Sequence, residues 1–323
     1  MADSYFHFQS SAKVSFVIPA YNEEERIMPL LEGIDSLSLL AQDIEVIIVD
    51  DGSLDRTSDV CQKEIDHRFP LGKVIKISSN RGKGNALRIG VSAASSPTII
   101  TMDADMATDL SAVEPALMGL KENHIVVGSR AAEGSKTQGV SNTRRLITNG
   151  FSLFLRIVTS YKVSDTQCGF KAYRSPVAKV LFASSRAKGF AQDAEILDLA
   201  YRNNLSILEI PVLWTAIPGS KVNLVRDSFS SFFEVIRHRL NGAETNPISG
   251  LTIHNETEGQ ALEEEILNFF PKESIFLITG LRTDILFPEI RYNEIQRLAD
   301  TFNRRYPHHQ VQHCMRTIQD IVD

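Results

Sequence analysis

Two carboxylates, Asp103 and Asp105, are separated by a single residue and come directly after an apolar run, Thr98–Met102. Carboxylates this close repel each other unless a cation lies beside them, and their hard oxygens suit Mg²⁺ or Mn²⁺. Such ions commonly bridge protein carboxylates and a diphosphate, and they neutralise the charge of a departing diphosphate. The spacing therefore predicts that Asp103 and Asp105 bind a divalent metal that serves a diphosphate leaving group.

Three more clusters of polar residues follow predicted strands. They are Pro19–Glu23, Asp50–Ser53 and Asn80–Gly84. Ligands of an open parallel sheet bind beyond the carboxyl ends of its strands. Helix capping by Asp, Ser or Asn explains any one of these clusters, but it explains poorly four clusters expected at one edge. The four clusters together predict one ligand site along that edge.

Within these clusters, Asp50 or Asp51 could accept a hydrogen bond from a nucleotide base. Tyr21 could stack on that base, or it could lie half-buried at the edge of the core. The turn around Lys83 is typical of an anion site at the start of a helix, where backbone N–H groups and the helix dipole favour phosphate. The spacing of a Walker loop is absent, and no GxGxxG follows the first strand, which argues against an NAD-binding domain.

The elements that must position these residues alternate between strand and helix patterns. Predicted strands are Val14–Ile18, Ile44–Val49, Val74–Ile77, Thr98–Met102, Ile125–Val127 and Ile207–Trp214. Predicted helices are 27–37, Asp55–Ile65, Lys83–Ala94, Leu110–Leu120, Arg145–Ser160, Asp193–Arg202 and Asp227–Leu240, with a loop at Asp165–Phe170. Repeated β-α-β units with right-handed crossovers predict an α/β fold with a mostly parallel sheet flanked by helices.

The pattern also predicts a division of the chain. We assign residues 1–245 to the α/β domain and 246–257, rich in Asn, Thr, Glu and Gly, to a linker. Residues 258–323 form a small α/β extension of unknown role, with a helix candidate at Ala261–Phe270 and a strand candidate at Ser274–Thr279.

Composition narrows the class of protein. The net charge of −6 over 323 residues argues against nucleic acid as a partner. The three cysteines are far apart and form no CxxC pair, which favours free thiols in a reducing compartment over disulfides or zinc. No signal-peptide pattern opens the chain, and no apolar run reaches the ~18 residues of a membrane span. We therefore expect a cytoplasmic protein, soluble or peripheral to a membrane.

The order of the motifs resembles a known family, the family 2 glycosyltransferases of the GT-A fold. The matching segments are Phe16–Glu24, Val49–Ser53 and Asp103–Asp105. Three later segments are similar to the dolichyl-phosphate β-glucosyltransferase branch, and less so to the dolichyl-phosphate mannose synthases. They are Asp165–Lys171, Asp193–Glu195 and Trp214–Lys221. The resemblance extends over about residues 14–240.

This resemblance implies an inverting transfer of a hexose, glucose from UDP-glucose, to a dolichyl or polyprenyl phosphate, with Mg²⁺ or Mn²⁺ as cofactor. The residues it implies for the nucleotide sugar are Pro19, Ala20, Tyr21, Glu23, Asp50, Asp51, Lys83, Asp103 and Lys221. The residues it implies for catalysis are Asp105, Asp193, Arg130 and Arg144, and the two arginines would bind the acceptor phosphate. Alternatives are a mannose synthase, a transferase acting on a saccharide or glycolipid hydroxyl, and a non-catalytic nucleotide-sugar-binding protein.

The acceptor decides which residues the reaction needs. A phosphate is already a nucleophile, so its in-line attack on the anomeric carbon requires no strong general base. Arg130 and Arg144 could donate bidentately to it, or each could form an ordinary salt bridge. Asp193 would serve as the base if the acceptor were a hydroxyl, and otherwise it would cap its helix.

A predicted helix near residue 230 has an apolar face with basic residues nearby. The face consists of Phe229, Phe232, Phe233 and Ile236. It could lie in a membrane interface and reach a lipid acceptor, or it could pack against the domain or form a dimer seam. The sequence leaves the oligomeric state open.

Overall fold

The computed structural model describes residues 13–37, 43–139, 163–185, 187, 189, 191–217, 248–254, 275–279, 282–286, 299–304 and 311–316. The predicted helices Arg145–Ser160, Asp227–Leu240 and Ala261–Phe270 lie outside these residues. Arg144 and Lys221 also lie outside them, so the roles expected of these two side chains stay predictions.

The elements of the larger unit alternate along the chain, as the pattern predicts. Its strands are β1 (Val14–Ala20), β2 (Ile44–Asp50), β3 (Lys73–Lys76), β4 (Thr98–Thr101), β5 (Ile125–Ser129), β6 (Lys136–Gln138), β7 (Lys171–Arg174), β8 (Ile207–Pro211) and β9 (Leu213–Thr215). Its helices are α1 (Met28–Asp35), α2 (Thr57–Arg68), α3 (Lys83–Ala93), α4 (Val113–Gly119), α5 (Ser175–Ser184) and α6 (Ala191–Arg202).

Seven of these strands form one sheet in the order β3-β2-β1-β4-β7-β5-β8. β1 pairs in parallel with both β2 and β4, and Ala20 at the end of β1 lies opposite Asp50 at the end of β2. All seven residues of β1 and of β2 are buried, as expected for parallel strands that are covered on both faces. The prediction of a mostly parallel sheet flanked by helices is confirmed.

The second half of this sheet departs from the predicted pattern. β7 lies antiparallel between β4 and β5, and neither it nor α5 is predicted from the sequence. β7 has only four residues, and two of them are charged, so no period of two is visible in it. The predicted strand Ile207–Trp214 is divided: β8 joins the main sheet, whereas β9 pairs with β6 in a separate two-stranded ribbon.

Apolar side chains on both faces of the sheet hold the layers together. On one face, α1, α2 and α4 pack with residues such as Leu31, Ile65 and Ala116 against Phe16 and Ile18 of β1. On the other face, residues of α3, α5 and α6 pack against the opposite side of the same strands. The site residues lie at the carboxyl ends of the parallel strands, between these two layers.

A smaller antiparallel sheet is formed by the C-terminal strands β10 (Ile248–His254), β11 (Ile275–Thr279), β12 (Arg282–Leu286) and β13 (Val311–Arg316), in the order β11-β12-β10-β13. Residues 299–304, between β12 and β13, are helical. β10 lies within residues 246–257 and pairs with β12 and β13. This corrects the linker assignment for these residues, whose Ser, Gly and Thr obscured the apolar residues among them.

The described residues can be compared with two predictions made from composition, one on the cysteines and one on membrane spans. Cys61 and Cys168 are buried free thiols, as predicted. None of the helices in the described part of the chain combines the length and apolar character that a bilayer crossing requires.

Candidate active site

The ends of β1, β2 and β3 are tied together at one edge of the sheet. The N–H of Asn22 donates to Ser53 Oγ over 2.8 Å, and the N–H of Asp51 donates to Ala20 O over 2.9 Å. The Asp51 carboxylate in turn accepts the N–H groups of Arg81 and Gly82, at 2.8 and 2.7 Å. These three polar clusters therefore meet, as the sequence predicts.

Two residues in left-handed backbone conformations allow this close approach. Asn22 has a φ of 52° and Gly52 a φ of 75°. A Cβ on Gly52 would come within 2.7 Å of the backbone of Ser79, so a side chain there would force the β2 and β3 loops apart. Glycine adopts this φ without strain, and it lets the two loops lie this close together.

Asp50 and Asp51 support these loops. Asp50 is fully buried and accepts the N–H of Ser53 and the hydroxyl of Ser58, at 2.8 and 2.6 Å. Pro19 and Ala20 are buried in β1, and Tyr21 and Glu23 beyond them are half-buried. The half-buried position of Tyr21 fits both predictions for it, stacking on a base and lying at the edge of the core.

The fourth cluster joins the site through an ion pair. The ammonium of Lys83, the first residue of α3, lies 2.7 Å from Asp103 Oδ1. Gly169 lies against the other side of the same carboxylate: a Cβ there would stand 2.0 Å from Asp103 Oδ2. Gly169 belongs to one of the motifs that resemble the family, but the sequence predicts no role for it, because nothing in the sequence shows that it lies against Asp103.

Arg26 is a site residue that is not predicted from the sequence. Its Nη2 donates to Glu23 Oε1 over 2.5 Å, and its Nη1 lies 4.0 Å from Asp105 Oδ2. This Nη1 is buried, and it has no hydrogen-bond acceptor among the described residues. The spacing of three residues between Glu23 and Arg26, in a cluster already singled out, is the signal that could have identified it.

The two carboxylates of the Asp103–Asp105 pair differ electrostatically. Burial raises the pKa of Asp103, but Lys83, followed by Lys171 and Arg130, lowers it by more, so the net pKa lies below the usual value. Burial and the negative charge of Asp103 raise the pKa of Asp105. Burial lowers the pKa of Lys83, but Asp103 and Asp193 raise it by more, so this lysine stays charged.

These features fit a divalent cation. The pKa of Asp105 is raised even though Arg26 and Lys83 act to lower it, and a cation between the two carboxylates would add the positive charge that favours the ionised form. Among the described residues, no group of three or more His, Cys, Asp or Glu side chains could hold a metal. Further ligands would have to come from a diphosphate and water, as is usual for Mg²⁺ and Mn²⁺.

Arg130, at the end of β5, forms an ion pair in which its own side chain is 19% exposed and that of Asp165 is buried. Its Nε and Nη2 donate to the two oxygens of Asp165 over 2.6 and 2.8 Å, and its guanidinium lies 5.4 Å from the centre of the Trp214 ring. Burial raises the pKa of Asp165, but Arg130 lowers it by more, to below the usual value. Arg130 therefore forms a salt bridge, which the sequence left open as one of two roles. Its Nη1 does not take part in this salt bridge.

Asp193 is the third residue of α6 and lies between two lysines. Its Oδ1 accepts from Lys171 Nζ over 2.6 Å, and its Oδ2 lies 3.7 Å from Lys83 Nζ. Because the helix begins at Ala191, Asp193 is not its cap. The structure thus brings Lys83, Asp103, Asp105, Arg130 and Asp193 to one edge.

Comparison with known proteins is consistent with this geometry. The family described as glycosyl transferase family 2 matches residues 15–182. A dolichyl-phosphate beta-glucosyltransferase of Dictyostelium discoideum is 31% identical over 242 residues, covering 70% of this chain and 73% of that protein. The Homo sapiens protein of the same name is 36% identical over 230 residues, covering 65% and 69%.

Solved structures show the same fold at lower sequence identity. Glucosyl-3-phosphoglycerate synthase from Mycobacterium tuberculosis, in complex with Mn²⁺ and UDP-glucose, has a TM-score of 0.53 at 18% identity, covering 74% of this chain and 83% of that chain. Mannosyl-3-phosphoglycerate synthase from Rubrobacter xylanophilus has a TM-score of 0.54 at 16% identity, covering 85% and 87%. With its GT-A fold and a family match over more than half of its length, the chain belongs to glycosyl transferase family 2.

Proposed function

We propose that the protein transfers glucose from UDP-glucose to dolichyl phosphate or a related polyprenyl phosphate, with inversion at the anomeric carbon. The relatives that support this are named for that activity, and the chain covers more than two thirds of their length. The observation that carries the proposal is the edge where Asp103, Asp105 and Lys83 meet.

The donor diphosphate has a suitable place at this edge. Asp103 and Asp105 would hold Mg²⁺ or Mn²⁺, which would neutralise negative charge on the departing diphosphate. Lys83 stands at the first position of α3, so its ammonium and the positive end of the helix dipole both favour phosphate there. Arg26 Nη1, beside Asp105, is a further donor within reach of the same group.

The acceptor phosphate would attack from the face opposite the diphosphate, which inverts the anomeric configuration. Its oxygen is already a nucleophile, so the residues around it only need to orient it and balance its charge. Arg130 can donate its Nη1 while Asp165 holds the remainder of the guanidinium. Arg144 and Lys221 keep their predicted roles toward phosphate.

A lipid acceptor places the reaction at a membrane surface, which we propose is the cytoplasmic face. The apolar face predicted from the sequence to contain Phe232 and Phe233 would contact the lipid. This part of the proposal depends on the acceptor and not on the donor, so the two can be tested separately.

The test is a panel of UDP- and GDP-sugars with short polyprenyl phosphates, supplied with Mg²⁺ or Mn²⁺ and analysed by mass spectrometry of the lipid. We expect addition of one glucose from UDP-glucose and no addition after chelation of the metal. Polyprenols without phosphate are the matched control. Reaction of the polyprenols but not their phosphates would overturn the acceptor assignment, and transfer from GDP-mannose alone would overturn the donor.

A further inference from the structure

Four charged side chains form a continuous row from the interior of the sheet to its edge. Lys171 Nζ lies 2.6 Å from Asp193 Oδ1, Lys83 Nζ lies 3.7 Å from Asp193 Oδ2, and Lys83 Nζ lies 2.7 Å from Asp103 Oδ1. Positive and negative groups alternate along the row. Asp193 is therefore the link between the interior lysine and the lysine that touches Asp103.

The inner end of the row is fixed. Lys171 opens β7, opposite Thr101 of β4 and Val127 of β5, and its side chain is 0% exposed. Its ammonium also donates to Cys168 O over 2.7 Å. A buried ammonium is stable only when it is paired and hydrogen-bonded, so Lys171 and Asp193 hold each other in one arrangement.

The outer end of the row faces the diphosphate site. Lys83 is shared between Asp103 and Asp193, at 2.7 and 3.7 Å. A metal ion that binds Asp103 has to compete with this ammonium for the carboxylate. A second carboxylate behind Lys83 gives the ammonium an alternative partner and lowers the cost of releasing Asp103 to the metal.

We propose that Asp193 is a positioning residue: held in place by Lys171, it gives Lys83 a second anionic partner, so that Asp103 can release the ammonium and bind the metal and the donor. Both oxygens of Asp193 face ammonium groups, an arrangement unsuited to removing a proton from an acceptor. A site of this kind requires an acceptor that is already ionised, such as a phosphate. The proposal rests on the proposed function in taking a nucleoside diphosphate and a divalent cation as the ligands.

Asp193→Asn tests the proposal, with UDP binding measured by calorimetry at increasing Mn²⁺. Lys83 would then have Asp103 as its remaining anionic partner in the row, and we expect the Mn²⁺ concentration needed for UDP binding to rise about tenfold, the size of one charge-assisted hydrogen bond. A general base would behave differently: the variant would keep wild-type UDP and Mn²⁺ affinity and lose only kcat. That result would overturn the proposal.

The control is Asp198→Asn, which makes the same change in the same helix at a residue paired with Arg202. We expect it to bind UDP and Mn²⁺ as the wild type does, and weakening equal to that of Asp193→Asn would overturn the assignment. Because Asp193→Asn leaves Lys171 charged and buried, the double variant Lys171→Met/Asp193→Asn provides a second test. It should require the same raised Mn²⁺ concentration, and wild-type behaviour would refute the proposal.

The measurement separates this inference from the proposed function. If the wild-type protein binds no UDP in the presence of Mn²⁺, both fail. If the wild type binds UDP and both Asp193 variants bind it equally well, only the positioning role fails and the proposed function stands.

Discussion

The two sides of the site are held together by different forces. On the β1–β2 side, formed by Ala20–Asn22, Asp50–Ser53 and Arg81–Gly82, the contacts are hydrogen bonds in which backbone groups take part. On the β5–β7 side, formed by Arg130, Asp165, Lys171 and Asp193, the contacts are buried ion pairs between side chains. The difference indicates that the structure of the first side depends on backbone conformation, whereas that of the second depends on the balance of opposite charges.

The largest effect on activity is expected at the Asp103–Asp105 pair. Asp105→Asn removes one of the two carboxylates proposed to hold the metal, and we expect kcat/KM to fall about 10³-fold, as for other electrostatic groups at a reacting centre. Steady-state kinetics at saturating Mn²⁺ would measure this. Wild-type rates in the variant would show that the site works without a metal at this position.

The β5–β7 side should be the more sensitive to loss of one charge. Asp165→Asn leaves Arg130 buried without its anionic partner, and we expect a loss of about 3 kcal/mol in the free energy of unfolding. Asp51→Asn is the matched control on the β1–β2 side: its donors are neutral N–H groups, and we expect a loss of about 1 kcal/mol. Urea unfolding would measure both, and equal losses would contradict the comparison.

The same pair predicts how stability depends on pH. The folded pKa of Asp165 lies below its usual value, so its contribution is fully present above the unfolded value of about 4 and is lost as the pH falls through the folded pKa. The stability gap between wild type and Asp165→Asn should therefore be constant near neutrality and shrink below about pH 4. A gap that widens in acid would mean that the sign is wrong.

Gly169 allows a test of geometry without a change in charge. In Gly169→Ala, the new methyl group would meet Asp103 Oδ2 at 2.0 Å, and the carboxylate has to move. Misplacement of a catalytic group by about 1 Å can reduce the rate about 10²-fold, and we expect a loss of this size in kcat/KM. The control is Gly189→Ala, because no atom of the described residues lies within 4 Å of the added Cβ. Equal activities would show that Asp103 can move without consequence.

The smallest effect concerns Arg26. Arg26→Gln removes the buried Nη1 beside Asp105, and we expect UDP to bind about tenfold more weakly in the presence of Mn²⁺. Arg56→Gln is the control, since Arg56 pairs with Glu24 on the surface with 81% of its side chain exposed. A change in the control as large as that in Arg26→Gln would point to long-range charge and not to contact.

Prediction from the sequence succeeded better on the β1–β2 side of the site than on the β5–β7 side. β1 and β2 are continuous runs of buried apolar residues, and the polar clusters after them follow from the rule for ligand sites in open sheets. Arg130 was identified, but its pairing with Asp165, 35 residues away, was not. β7 escaped prediction because four residues with two charges carry no readable period, and β10 did so because its polar residues suggested a linker.

The sequence by itself determined the α/β class, the strands that end at the site and the Asp103–Asp105 pair, because each of these depends on residues that are neighbours in the chain. Only the tertiary structure decided that Gly169 lies against Asp103 and that Asp193 lies between Lys83 and Lys171. The physical reason is burial: whether a carboxylate acts as a base or as an anchor depends on which charges share its surroundings, and packing brings those charges from distant parts of the chain.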